Sequence, residues 1–229
     1  MKQLSPNQLD VIYEDNHVIV VNKPCGILVQ GDNTKDLPIA ETIKAYLKNK
    51  YNKPGNVYLG VVHRLDRPTS GVLIFAKTSK ALTRLNTQFK DKTVQKIYWA
   101  MVSPKPNARE ADLVHYLVRK PKQNKSFAYK KEVPNSKRSL LSYKLLRSLD
   151  TYHLLEIVLQ TGRHHQIRAQ LCAIGCTIKG DLKYGAKRSN PNAGIHLHAR
   201  QLSFIHPTTT ERMSFQAALP KEKLWNLVL

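Results

Sequence analysis

With 229 residues, 41% of them apolar, the chain can bury a substantial core and is too apolar to be disordered. Its 37 Lys and Arg against 16 Asp and Glu give a net charge of +21, a field that attracts polyanions, with nucleic acid ahead of an anionic membrane or an acidic protein. No run of about 18 apolar residues could span a membrane, the polar Met1–Asp10 stretch offers no signal region, and Cys25, Cys172 and Cys176 make no disulfide framework, so a cytoplasmic protein with no membrane association is expected.

The first element expected is a hairpin. Val11–Tyr13 and His17–Val21 are β-rich runs around the turn Glu14-Asp15-Asn16. Lys23-Pro24-Cys25-Gly26 breaks the second strand. Ile39, Ile43 and Leu47 form one stripe, which predicts a helix over 39–51 closed by Pro54 and Gly55. Val61-Val62 leads into a polar tract ending at Gly71, and Val72–Ala76 is a buried strand. Thr78 or Ser79 caps a helix that ends near Lys90. Strands follow at 94–102, 115–118, 140–146 and 152–159. Gly162 marks a sharp turn. Residues 164–174 are expected to be helical, with Ile167, Leu171 and Ile174 on the buried stripe and Gly175 beyond the C-terminus. A strand at 195–205 and a short helix within 220–227 complete the chain. Strands outnumber helices and follow one another, so the class is α+β around a largely antiparallel mixed sheet flanked by helices and loops. Residues 1–9 are read as a tail and 10–229 as one domain.

Residues 119–138 hold eight basic side chains (among them Lys125, Lys130 and Lys131) against one acid, Glu132, with Phe127 and Tyr129 interleaved. This is a long loop or ribbon. It is either a solvated charge run or an RNA surface, because unpaired bases stack on aromatics. Cys172 and Cys176 could share a helix face but make at most half a zinc site. Of His63, His164, His165, His196 and His198, only the last two share a strand face, and no third ligand has fitting spacing. No metal site is expected.

Asp66 is the only acid between Val61 and Lys77 and lies between Arg64 and Arg67. Such cations keep a carboxylate ionised, and an ionised, aimed carboxylate can act as a nucleophile. By itself an Asp between two Arg is more often a surface ion pair.

The tract His63-Arg64-Leu65-Asp66-Arg67-Pro68-Thr69-Ser70-Gly71, followed by Val72-Leu73-Ile74-Phe75-Ala76-Lys77, resembles the signature of the RluA-type pseudouridine synthases. Three other segments agree in the family's order. They are Val20–Pro24 with Gly26, the strand Lys96–Val102, and Leu159–Arg168 followed by Gly180-Asp181 and Tyr184-Gly185. The resemblance spans roughly residues 10–218 and implies a pseudouridine synthase fold and an isomerase that converts uridine to pseudouridine in tRNA or rRNA.

Carried across by the resemblance, Asp66 matches the catalytic aspartate. Tyr98 matches the tyrosine that stacks on the target base. Arg168 matches the arginine paired with the aspartate, with Arg163 the competitor. Helical spacing favours Arg168, because it sits off the apolar stripe on the flank of His164. Arg64, Arg67, Arg163, His164, Lys125, Lys130 and Lys131 are expected to bind RNA. Cleavage of N1–C1′, rotation of uracil and joining of C5 to C1′ require no cofactor, and none is expected. Attack at C1′ and a glycal route both stay open. The first hairpin begins near Val11, so no S4-type domain is expected ahead of it, which weakens a large-ribosomal-RNA target and leaves tRNA open. A monomer is expected. A non-catalytic RNA-binding protein on the same scaffold is the alternative, and intact Asp66, Tyr98 and Arg168 argue against it.

Overall fold

Asp15 starts the fold. Its carboxylate accepts from the main-chain N–H groups of His17 and Val18, both at 2.7 Å, which pins the turn of the first hairpin. A computed structural model describes residues 4–32 and 34–228, so part of the expected tail lies outside it; Pro6–Gln8 form a 3₁₀ turn. The strands of the hairpin are β1 (Asp10–Glu14) and β2 (Val18–Lys23). Helix α1 is Ile39–Lys50, and its predicted stripe of Ile39, Ile43 and Leu47 is fully buried. A two-residue strand β3 (Gly60–Val61) precedes β4 (Ser70–Ala76), every residue of which is buried. Helix α2 (Ser79–Lys90) is capped by Thr78, whose Oγ1 accepts from Ala81 N at 3.1 Å.

Then come β5 (Gln95–Ser103), β6 (Glu110–Lys120), β7 (Lys125–Tyr129), β8 (Lys137–Ser148) and β9 (His153–Leu159). Helix α3 (Gln166–Ala173) is followed by β10 (Thr177–Ile178), β11 (Leu197–Ile205), β12 (Arg212–Gln216) and α4 (Lys223–Asn226). Gly175 has φ +81° just past α3, as its C-terminal position predicts.

The chain divides into two compact units, one of residues 1–94 and 199–220, the other of 95–198 and 221–229. In the first, the strand order is β1-β2-β4-β11, with β3 on β4 and β12 on β11. Pairs β1–β2, β2–β4 and β11–β12 are antiparallel. Gly71 is indispensable to this sheet. Its φ is +119°, and an added Cβ would lie 2.3 Å from the carbonyl oxygen of Ala199. Strand β12 was not anticipated. It alternates, with Met213 and Phe215 half-buried and the Phe215 ring 5.0 Å from that of Tyr13.

In the second unit the order is β5-β9-β8-β6-β7, antiparallel throughout, with β10 on β5. The basic segment 119–138 is the end of β6, a 3₁₀ turn at Pro121–Gln123, all of β7 and the start of β8. It is a β-ribbon. With twelve strands and four α-helices among the described residues, the class is α+β, as the element pattern predicts.

The 164–174 helix requires correction. Residues 164 and 165 precede α3, and His165 sits at φ +54°, a left-handed conformation that a helix interior does not admit. The imidazoles of His164 and His165 stack, with centroids 3.8 Å apart. Cys176 likewise lies beyond the helix and is buried, whereas Cys172 is exposed, so the two share no helix face.

Candidate active site

In the first unit, Asp66 opens a tight turn closed by Thr69 N donating to the Asp66 carbonyl at 3.0 Å. The neighbouring Leu65 is buried at 7% exposure and holds the turn against the core, while Asp66 itself is half-buried. Arg67 ties this turn to the loop after β2. Its carbonyl accepts from Gly26 N at 2.8 Å, its Nε donates to Gly26 O at 3.0 Å, and its Nη2 lies 2.7 Å from Asp36.

Lys23 completes the arrangement, and sequence reasoning gave it no role. The side chain is fully buried and its ammonium donates to the carbonyls of Pro24 (3.0 Å), Ile27 (2.8 Å) and Arg67 (3.2 Å). Three acceptors match the three donors of an ammonium. Burial pulls this group down to about 7; Cys25 and Asp66 act in the opposite direction and Arg67 adds to the fall. Thr69 Oγ1 is buried beside the turn without a hydrogen-bond partner. Arg64 is exposed. His63 accepts from Ile74 N through Nε2 at 3.3 Å and stacks on Phe89 at 4.8 Å, which makes it part of the unit's packing.

In the second unit, Tyr98 lies on β5 opposite Ile157 and is 8% exposed. Arg168 is 5% exposed and forms a bidentate pair with Asp181, Nε to Oδ2 at 2.7 Å and Nη2 to Oδ1 at 2.8 Å. Its Cζ stands 5.0 Å from the centroid of Tyr184. The spacing argument for Arg168 therefore rested on a wrong premise. Gln166, Ile167, Arg168, Ala169, Gln170 and Leu171 are all buried, so α3 has no polar face over these residues. Most polar atoms of these side chains are paired, Gln170 Oε1 being an exception among the described residues. Gln166 Oε1 accepts from Thr161 Oγ1 and Arg163 N, and Gln170 Nε2 donates to Leu113 O at 3.0 Å.

Tyr184 links Arg168 to the basic ribbon. Its hydroxyl donates to Ser126 O at 3.0 Å and accepts from Ser126 N at 2.9 Å. The remaining lone pair faces His165 Nδ1 at 3.1 Å, which must therefore carry the proton. Burial pushes His165 down to about 2, with Arg168, His164 and Lys183 adding to the fall, so its ring is neutral. His164 bridges Ser126 Oγ (2.9 Å) and Asn124 Oδ1 (3.1 Å). Lys125 lies over both Phe127 (5.3 Å) and Tyr184 (4.9 Å). Of the residues expected to meet RNA, His164 and Lys125 are thus half-buried members of this network, while Arg163, Lys130 and Lys131 are exposed. Asp181 and Tyr184 were visible in sequence only as matches to a motif, since their partners lie 13 to 58 residues away.

The histidine pair considered for a metal has other partners. His196 Nδ1 is 2.9 Å from Asn190 Nδ2, and the ring stacks on Trp225 at 5.3 Å, as His198 approaches it at 6.1 Å. Among the described residues, no group of three or more His, Cys, Asp or Glu is placed to hold a metal ion. No helix among them is long and apolar enough to cross a membrane.

Residues 17–173, which contain Asp66, Tyr98 and Arg168, match the family described as RNA pseudouridylate synthase. The chain belongs to that family. As a member it is an isomerase that makes pseudouridine in RNA, and the RluA-type resemblance read from the motifs is borne out. It is 33% identical over 215 residues to an uncharacterized RNA pseudouridine synthase of Synechocystis, covering 93% of this chain and 66% of that one. It is 31% identical over 224 residues to the ribosomal large subunit pseudouridine synthase D of Zymomonas mobilis, covering 93% and 70%. With an uncharacterized RNA pseudouridine synthase of Bacillus subtilis the identity is 34% over 220 residues, covering 95% and 71%. The chain thus spans about two thirds of the length of these curated relatives. The fold is that of human RNA pseudouridylate synthase domain containing 4, with a TM-score of 0.77, 24% identity, and coverage of 93% of this chain and 89% of that one.

Proposed function

We propose that residues 10–229 act as one catalytic domain that isomerises uridine in structured cytoplasmic RNA, with Asp66 as the nucleophile and no metal or cofactor. The observation that carries this reading is the turn at Asp66. A half-buried carboxylate sits on a loop fixed by three donors, Lys23 Nζ, Gly26 N and Arg67 Nε, inside the segment matched by the family. Such anchoring holds a reacting group without reorganisation.

In this reading Asp66 bonds to C1′ as the N1–C1′ bond breaks and uracil leaves as its anion. The base turns, C5 joins C1′ as the Asp66–C1′ bond breaks and frees the carboxylate, the C5 proton leaves and N1 takes up a proton, so atoms and electrons balance without a redox partner. Tyr98 stacks on the detached base. Arg168, oriented by Asp181, is the arginine that the resemblance assigns to the chemistry. The target base must leave its stack, at a cost of a few kcal/mol. Phosphate contacts from Arg64, Arg163 and the ribbon lysines Lys125, Lys130 and Lys131 offset it. Both tRNA and ribosomal RNA are candidate substrates, the second because the Zymomonas mobilis relative is named for the large ribosomal subunit. The protein acts as a monomer.

The test is tritium release. RNA transcribed with 5-tritiated uridine, as folded tRNA and as large-subunit rRNA fragments, is incubated with the purified protein. Release into water with matching pseudouridine on digestion supports the reading. Tight binding of both RNAs without release, from a folded protein, contradicts it in favour of a non-catalytic binder.

A further inference from the structure

The second unit carries a basic pocket lined by none of the residues assigned above. Strand β8 has a bulge where its register on β9 passes from Leu145↔Leu155 to Arg147↔Leu154. Bulges re-aim side chains and bend the strand. The loop between β5 and β6 is fastened over this bulge by two bonds. Leu145 N donates to Arg109 O at 2.7 Å, and Tyr143 Oη donates to Ala108 O at 3.2 Å. Between loop and bulge lies a cavity of about 350 Å³ with Lys105, Asn107, Arg109, Arg147 and Ser148 in its wall and no carboxylate among its lining residues. None of the three cations has an ion-pair partner among the described residues. The Lys105 charge, after burial, holds the pKa of His153 down, and His153 is the cross-strand partner of Ser148. All three cations are exposed around one open pocket with no carboxylate in its lining, an arrangement that favours an anion with several acceptor oxygens.

We propose that this pocket is a seat for an RNA backbone phosphate, remote from the basic ribbon. The inference rests on RNA being the substrate, as read above. Strand β6 sets the distance. Arg109 precedes its first residue and Lys120 is its last, so the pocket and the ribbon stand at opposite ends of eleven extended residues. At about 3.3 Å per residue that is roughly 35 Å. An RNA touching both ends is a large folded molecule and not a short loop. The pocket thereby selects substrates by size and shape, and adds affinity beyond that of the ribbon.

The experiment compares the parent with the triple variant Lys105→Gln/Arg109→Gln/Arg147→Gln and the charge-retaining variant Lys105→Arg/Arg109→Lys/Arg147→Lys. Affinity for a folded tRNA transcript is measured by fluorescence anisotropy from 50 to 300 mM KCl, and KM and kcat by tritium release; thermal melts verify folding. The glutamine variant should bind at least about tenfold more weakly at 100 mM KCl, with a salt slope shallower by about 0.9 per lost phosphate contact. KM should rise while kcat changes less than about twofold, and the charge-retaining variant should bind like the parent. Unchanged affinity and slope in a folded glutamine variant overturn the proposal. Erosion of the parent's advantage by 20 mM inorganic phosphate, at constant ionic strength, supports it, because the free ion competes for the same seat. A parent that binds both the tRNA transcript and the large-subunit rRNA fragments but releases tritium from neither contradicts the catalytic reading and not this one.

Discussion

Arg168 and Asp181 form a buried bidentate ion pair, with side chains 5% and 1% exposed and both bonds under 3 Å. A guanidinium so held has one orientation. The same Arg168 faces the ring of Tyr184, whose hydroxyl grips the main chain of Ser126 on both sides. The orientation of the arginine assigned to the chemistry is thus tied to the docking of the basic ribbon.

Replacing Asp181 with Asn removes the carboxylate charge from this buried pair. Breaking such a pair costs about 3–5 kcal/mol. Urea unfolding should show a loss near the lower end, since Asn retains one acceptor, and isomerisation should fall about 100-fold through misplacement of Arg168. A variant with the parent's rate and stability would show that the pair positions nothing.

Tyr184→Phe keeps the ring over Arg168 and removes only the hydroxyl. The Ser126 main-chain groups lose their partner, at about 1–3 kcal/mol for an unsatisfied buried group. Hydrogen exchange should quicken at Ser126 and its neighbours on β7, and RNA affinity should drop several-fold with kcat changed less. Equal exchange rates in variant and parent refute the clamp.

Lys23→Met fills the same volume and abandons three carbonyls. Destabilisation of about 3 kcal/mol is expected, because these acceptors lie where water has little access. A melt unchanged from the parent's would contradict the role given to Lys23.

Acid should weaken the second unit. His165 is pushed down to about 2 and His196 to about 3, in both cases by burial first, against an ordinary value of 6.5. Between those values the unfolded chain binds protons that the folded unit refuses, so stability rises with pH there. This contribution is complete above pH 6.5 and is lost as the pH falls toward 3, at up to about 1.4 kcal/mol per pH unit for each ring. Denaturation at pH 7.5, 5.5 and 4.5 measures the slope. His165→Asn should lower it by about one proton, and a slope equal to the parent's disproves the assignment.

Gly71→Ala should be among the most damaging single changes. Its Cβ would strike the Ala199 backbone from a φ that L residues avoid, at a cost of at least about 3 kcal/mol. A soluble variant melting within 2 °C of the parent would show that the sheet yields there.

Periodicity revealed much of this fold because many elements bury one face. The Ile39/Ile43/Leu47 stripe follows the helical period, while the unbroken apolar run of β4 and the polar turn at Asp15 are legible from composition alone. Helix α3 was misread for a physical reason. Reading polar side chains as outward fails when Gln166, Arg168 and Gln170 are buried with partners from distant strands. Strand β12 did carry a signal, the alternation Met213, Phe215 within polar neighbours, which its high polarity hid. Asp66 was legible as a lone acid between two arginines. Lys23 was not, because nothing in a β-rich run distinguishes a lysine that turns inward to three carbonyls from one that reaches water.

The central claim concerns one carboxylate, and its most direct measurement is tritium release by Asp66→Asn alongside RNA binding. Asn keeps the size and polarity of the side chain and removes its charge. Binding within several-fold of the parent, an unchanged melt and no detectable pseudouridine are expected. Isomerisation by the variant at a rate comparable to the parent's would contradict the account.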